Sequence, residues 1–126
     1  MNQINFFAEH EAPLPKDEVR ILSASAAPYP DRQRLRVAVE VTPFLERPNL
    51  LLLVHDEQDE LVGEASVIAT MHASMEFTLH LRHKGDPAGA HSLTVELFYE
   101  TRQPPQDRWI EGFIIPAVTD ETFVDS

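Results

Sequence analysis

The sequence contains no cysteine among its 126 residues. Without thiols there is no disulfide framework, no thiolate nucleophile and no cysteine-ligated zinc. Three catalytic signatures are also absent, namely the Gly-x-Ser-x-Gly elbow, the glycine-rich phosphate loop and the His-Glu-x-x-His motif. These absences favour a protein that is not an enzyme and that needs neither a cofactor nor a metal ion.

Basic residues are scarce, with 10 Lys and Arg against 21 Asp and Glu and a formal net charge of -11. Nucleic-acid binding takes its sequence-independent affinity from Lys and Arg side chains that neutralise phosphates. The same negative charge disfavours anionic membrane surfaces. We therefore expect neither nucleic acid nor membrane among the partners.

Long apolar runs are missing as well. The first residues carry no basic side chain before Lys16 and no apolar stretch of the length that a secretory signal or a transmembrane helix requires. This pattern predicts a cytoplasmic protein. A hydrophobic content of 43% over 126 residues is ordinary for one soluble domain with a buried core.

The most apolar stretch that is present covers residues 50–54, which read Leu-Leu-Leu-Leu-Val. In an extended chain such a run places apolar side chains on both faces of the strand, so both faces must be covered. Polar residues and Pro48 bound the run closely, and it is too short for a typical helix. We predict a central strand over residues 49–56, with Leu52 fully buried.

Six further segments have the composition or alternation of strands, and all ten prolines lie between the predicted strands or at their ends. The seven predicted strands cover residues 17–25, 32–42, 49–56, 61–68, 71–82, 91–101 and 109–115. Seven strands joined by short turns predict an all-β domain, a single β-sandwich over residues 17–117. An N-terminal arm (residues 1–16) and an acidic C-terminal tail (residues 118–126) flank it.

Residues 89–95 read Gly-Ala-His-Ser-Leu-Thr-Val. With the seven predicted strands, this segment resembles the immunoglobulin-like and fibronectin type III-like superfold, in which Gly-x-Tyr followed by alternating apolar residues opens the sixth strand. In such domains the tyrosine pins the preceding corner. His91 occupies the tyrosine position here, so the corner bond is either absent or made by the imidazole. The resemblance implies an immunoglobulin-like sandwich, and a superfold of this kind does not fix function.

The six histidines and the acidic turn at residues 56–60 are the candidates for a metal site. On a strand, the spacing of His80 and His83 directs the two side chains to opposite faces. His72 and His80 share a face but lie roughly 26 Å apart. The acidic turn lacks the spaced ligands and the turn glycine of an EF-hand loop. We therefore expect surface or corner histidines, a solvated acidic turn and no metal.

The outer face of one predicted sheet is unusually apolar. Asn49 and His55 mark the outer side of the leucine strand, which places Leu51 and Leu53 outside with them. By the same reasoning Glu111 marks the outer side of the last strand, and Phe98 lies between the two groups. The predicted partner-binding residues are Leu51, Leu53, Phe98, Trp109, Phe113 and Ile115. Soluble monomers rarely leave such a patch open.

These observations favour a non-catalytic interaction or assembly module that forms a homodimer through this face. A different protein partner, or the arm with its apolar Ile4, Phe6 and Phe7, could cover the same face. The alternative function is the binding of a small ligand or carbohydrate by Trp109, His91 and the loops at one end of the sandwich.

Overall fold

The computed structural model describes residues 12–118 and contains seven strands and one short 3-10 turn, Lys16–Glu18. The strands are β1 (Ile21–Pro28), β2 (Arg34–Val41), β3 (Asn49–His55), β4 (Leu61–Val67), β5 (Ser74–His80), β6 (Gly89–Phe98) and β7 (Asp107–Ile115). They form two antiparallel sheets, ordered β1-β2-β5 and β4-β3-β6-β7. The predicted all-β sandwich of seven strands is confirmed.

The leucine run forms β3, which lies between β4 and β6 in the larger sheet. Leu50, Leu52 and Val54 face the sandwich interior and are each 0% exposed. The regular alternation of β2 and β6 also gives the predicted inward faces, because these strands bury every second side chain. The core therefore forms between the two sheets, from the positions that the period-two pattern selects.

The N-terminal boundary of the first strand differs from the prediction. Residues 16–18 form a 3-10 turn after Pro15, closed by a 2.9 Å hydrogen bond from Glu18 N–H to the Pro15 carbonyl oxygen. Val19 is nevertheless fully buried, so its apolar side chain packs in the core without belonging to a strand. Residues 1–11 of the predicted arm, with Ile4, Phe6 and Phe7, and residues 119–126 of the predicted tail lie outside the described residues.

The predicted orientation of β7 is wrong. Trp109 pairs with Val95 and Phe113 with His91, on the inward face of β6. Ile115 is only 1% exposed, and both aromatic side chains pack against the core. Glu111 does not mark a solvent face: it pairs with the buried Leu93, and its carboxylate accepts a 3.1 Å hydrogen bond from Trp109 Nε1. A polar residue with a local partner does not mark a solvent face.

The strand connections divide the molecule into two ends. The β1–β2, β3–β4 and β5–β6 turns lie at one end, together with the last residues of β7, and we call this the turn end. The β2–β3, β4–β5 and β6–β7 links lie at the other end. Between residues 12 and 118 there is no helix with the length and apolar character to cross a membrane.

Candidate interaction surface

The outer face of the larger sheet carries an apolar row that crosses three strands. Leu53 on β3 pairs with Thr94 on β6, and Thr94 pairs with Ile110 on β7. Ile114 lies on the same face of β7, paired with Ala90. We call Leu53, Ala90, Thr94, Ile110 and Ile114 the outer patch. Ile110 and Ile114 are each 63% exposed, so the exposed apolar surface of the outer patch is concentrated on the edge strand.

A charged cluster limits the outer patch on one side. Glu96, in the row next to Thr94, is only 5% exposed although it lies on the outer face. Its carboxylate accepts hydrogen bonds from Arg102 Nε at 3.0 Å and from Arg108 Nη2 at 3.2 Å. Charge-assisted bonds of this kind offset the cost of withdrawing a carboxylate from water. The cluster separates Phe98 from the two isoleucines.

The predicted set of partner-binding residues is therefore only partly on one surface. Leu51, Leu53 and Phe98 do face outward, but Leu51 is 7% exposed and Phe98 lies beyond the charged cluster. Trp109, Phe113 and Ile115 face inward. The structure instead brings Leu53 together with Ile110 and Ile114, which sequence reasoning missed. No local signal separated the two faces of β7, because both carry apolar residues and because Trp109 and Glu111, two apart on a strand, share a face in either orientation.

A pair of histidines fixes the corner between β5 and β6. The Nε2 atoms of His83 and His91 are 2.8 Å apart, and His91 Nδ1 lies 2.9 Å from the Gly89 carbonyl oxygen. Because a carbonyl only accepts, we assign the proton to His91 Nδ1, and His83 Nε2–H donates to His91. The sequence left open whether position 91 makes a bond at this corner, and the structure shows hydrogen bonds from its imidazole. The ring also stacks on Phe113, with ring centroids 5.3 Å apart.

Electrostatics at this corner favour a neutral His83 imidazole. Burial lowers the pKa of His83, and the charge that His91 carries when protonated lowers it further. The Asp56 carboxylate opposes both effects. Two protonated rings would present Nε2–H groups to each other, so the His83–His91 hydrogen bond requires at least one neutral ring.

In the acidic turn between β3 and β4, the Asp56 carboxylate already binds backbone N–H groups of the same turn. The Asp56 side chain accepts hydrogen bonds from the N–H groups of Gln58 and Glu60, both at 2.9 Å. This is the usual role of aspartate at the first position of a turn. Within residues 12–118 no three or more His, Asp or Glu side chains are arranged to hold a metal ion.

Two clefts open at the turn end. One, of about 300 Å³, lies between the β3–β4 turn and the β5–β6 link. The other, of about 560 Å³, lies between the β1–β2 turn and the end of β7 and is lined by Tyr29, Arg32 and Ile114 among others. Neither cleft is lined by Trp109 or His91. These two side chains are held in the sandwich, roughly four strand residues or 13 Å apart.

Searches with the sequence found no matching family model and no matching curated protein. Solved structures do match. A β-glucuronidase from Bifidobacterium dentium, complexed with coumarin-3-O-glucuronide, matches over 79% of this chain with a TM-score of 0.59 and 13% identity. A Ruminococcus gnavus β-glucuronidase in complex with D-glucuronic acid matches over 78%, with a TM-score of 0.53 and 18% identity. A glycosyl hydrolase family 2 member from Bacteroides cellulosilyticus matches over 77%, with a TM-score of 0.53 and 10% identity.

The likeness is one of fold. At identities of 13%, 18% and 10% it shows a shared arrangement of strands and carries no residue roles. This chain spans only 18%, 16% and 15% of the length of the three proteins. The matching part is therefore one β domain of a much larger enzyme in each case.

Proposed function

We propose that this chain is a non-catalytic, self-associating interaction module that uses the outer patch on β7. One observation carries the proposal: Ile110 and Ile114 are each 63% exposed on the same face of one edge strand. Leu53 and Thr94 continue the apolar surface behind them. Covering such surface contributes about 25 cal/mol for each Å² of apolar area removed from water.

We further propose that the sandwich is immunoglobulin-like. The sheet order β1-β2-β5 against β4-β3-β6-β7 supports this assignment, as does the opening of β6 at Gly89. The corner bond made by His91 takes the place that the tyrosine bond occupies in that superfold. Domains of this architecture present whole sheet faces and edges, which suits contact with another protein.

The absence of catalysis is part of the proposal, and the buried ionisable groups support it. Glu96 is bound by two arginines, and His91 is bound by His83 and Gly89. In the part of the chain that the structure describes, no buried side-chain nitrogen or oxygen lacks a hydrogen-bond partner. Catalytic groups, in contrast, commonly have pKa values that are shifted by burial and by charged neighbours in an open cleft.

Light scattering on the full chain over a range of concentrations tests the proposal. We expect the wild type to be a dimer, and Ile110→Glu to shift it to monomer because a carboxylate enters an apolar contact. The matched control is Ile68→Glu, since Ile68 is 72% exposed at the opposite end of the sandwich. A wild type that stays monomeric at every concentration contradicts self-association.

A second candidate, supported by the fold likeness to β-glucuronidases, is a carbohydrate-binding β domain. Trp109 is the only tryptophan in the sequence, so its fluorescence reports binding near the start of β7. We expect no change on titration with glucuronic acid, because Trp109 packs against the core and donates to Glu111. A saturable change would favour the carbohydrate-binding function over the interaction module.

A further inference from the structure

Four strands form the edges of the two sheets, and they differ in how well they are protected. Pairing along β1 is interrupted by an irregularity, and this strand ends in Pro28. Pairing along β4 is also irregular, at its first residue. Bulges and prolines are the usual devices that keep edges from pairing with other chains. The nine residues of β7 contain neither, and their register with β6 is unbroken. The register of β5 is also unbroken, but its exposed side chains are polar, namely Ser74, Glu76, Thr78 and His80.

At the centre of β7 two isoleucines, Ile110 and Ile114, lie two residues on either side of Gly112. Gly112 is exposed, so the backbone at the middle of the strand is open to solvent. In an antiparallel pair with Gly112 opposite itself, Ile110 of one copy lies opposite Ile114 of the other. A two-fold axis through this point forms the Ile110–Ile114 contact twice.

We infer that the partner of this module is a second copy of the chain, joined by antiparallel β7 strands with Gly112 on the two-fold axis. The inference rests on the proposed function and specifies its partner and register. The two sheets then form one eight-stranded sheet, and the outer patches of the two copies adjoin across the paired β7 strands. Backbone hydrogen bonds supply affinity, and the paired isoleucines set the register.

The local charge permits this contact although the chain carries a net charge of -11. Between residues 108 and 115 the only charged side chains are Arg108 and Glu111, so this part of β7 is neutral. Glu111 bonds Trp109, on the side away from Gly112, which directs the two carboxylates of the dimer away from the axis. Acids elsewhere repel weakly, because the screening length at physiological salt is about 8 Å.

The edge is also large enough for a specific dimer. Nine residues of strand span about 30 Å, and packed sheets are about 10 Å apart. With the side chains that project beyond both sheets, the contact covers on the order of 600 Å² on each copy, which reaches the lower range of specific interfaces. A docked peptide would cover β7 but not β1, which lies alongside it.

A charge swap at the two isoleucines tests the register. In full-chain Ile110→Lys/Ile114→Lys, the proposed pairing places like charges opposite each other at both sites. In Ile110→Lys/Ile114→Glu, it places lysine opposite glutamate at both sites. We expect the second variant to dimerise at least about tenfold more tightly than the first in sedimentation measurements. The first variant reduces the net negative charge, so general repulsion alone predicts the opposite order.

Each outcome has a distinct meaning. Equal association of the two double variants overturns the Gly112 register, whether both are dimers or both are monomers, while a dimeric wild type still supports the proposed function. A monomeric wild type overturns both. The inference is also contradicted if the wild type is monomeric and binds an unrelated extended peptide along β7. In that case the peptide, and not a second copy of the chain, pairs with this edge.

Discussion

The histidines at the β5–β6 corner make stability depend on pH. Because the pKa of His83 is lowered from 6.5 by burial and by the nearby His91, the folded chain binds fewer protons at this site than the unfolded chain does. Stability from this site is therefore complete above about pH 6.5 and is lost as the pH falls from there through the folded pKa. Protonation of His83 at acidic pH therefore weakens the His83–His91 contact.

Thermal unfolding of the wild type and of His83→Gln between about pH 7.5 and pH 5 measures this effect. Glutamine keeps an N–H donor for His91 but does not titrate. We expect the wild type to lose stability more steeply than the variant as the pH decreases. If stability fell equally with pH in the two proteins, titration of His83 would not contribute to the pH dependence of stability.

At the scale of the strand, Gly89 allows the chain to enter β6. Its φ of +127° lies in a region that residues with a side chain rarely adopt, and a Cβ there would meet the Glu57 carboxylate at 3.0 Å. The carboxylate can move, so the backbone strain is the main cost. Gly89→Ala should lower the free energy of unfolding by about 1–3 kcal/mol.

Gly85 in the same link provides the control. A Cβ on Gly85 meets nothing within 4 Å, so Gly85→Ala should change the stability by no more than about 0.5 kcal/mol. Urea denaturation of the two variants gives both values. If they lost equal stability, the special conformation of Gly89 would not be needed to form the corner.

The strands show which features of the fold could be predicted from the sequence. In β2 and β6 apolar and polar residues alternate along most of the strand, and the pattern determined their inward faces. In β7 both faces carry apolar residues, so the predicted orientation rested on Glu111 alone. It was wrong because Glu111 lies on the inward face, where it accepts a hydrogen bond from Trp109. The first strand began later than predicted because Val19 is buried outside any strand.

The candidate site could be predicted only where polar residues mark the outer face of a strand. In the leucine strand Asn49 and His55 mark that face, and Leu53 lies on it with them. In the charged cluster, Arg108 lies opposite Glu96 on the neighbouring strand, but Arg102 reaches Glu96 from the β6–β7 link. No local pattern encodes the path of that link. The bond between His83 and His91 likewise depends on how the β5–β6 link folds.

Across the whole molecule, one continuous core between the sheets stabilises the fold, while the ion pairs are mostly at the surface. Lys16–Glu100 and Arg36–Glu76, for example, are well exposed, and exposed pairs of this kind contribute little. Ile110 and Ile114 lie outside this core, so we expect the domain to stay folded when the outer patch is altered.

Residue-resolved hydrogen exchange of the full chain, at protein concentrations below and above the dimer dissociation constant, tests the β7 pairing most directly. In an edge strand, alternate N–H groups point away from the neighbouring strand and are free in a monomer. We predict that those amides of β7 exchange at least about tenfold more slowly in the dimer, while the amides on the free side of β4 are unchanged. Fast exchange along β7 at every concentration, or protection that appears on β4 instead, would contradict the β7 dimer.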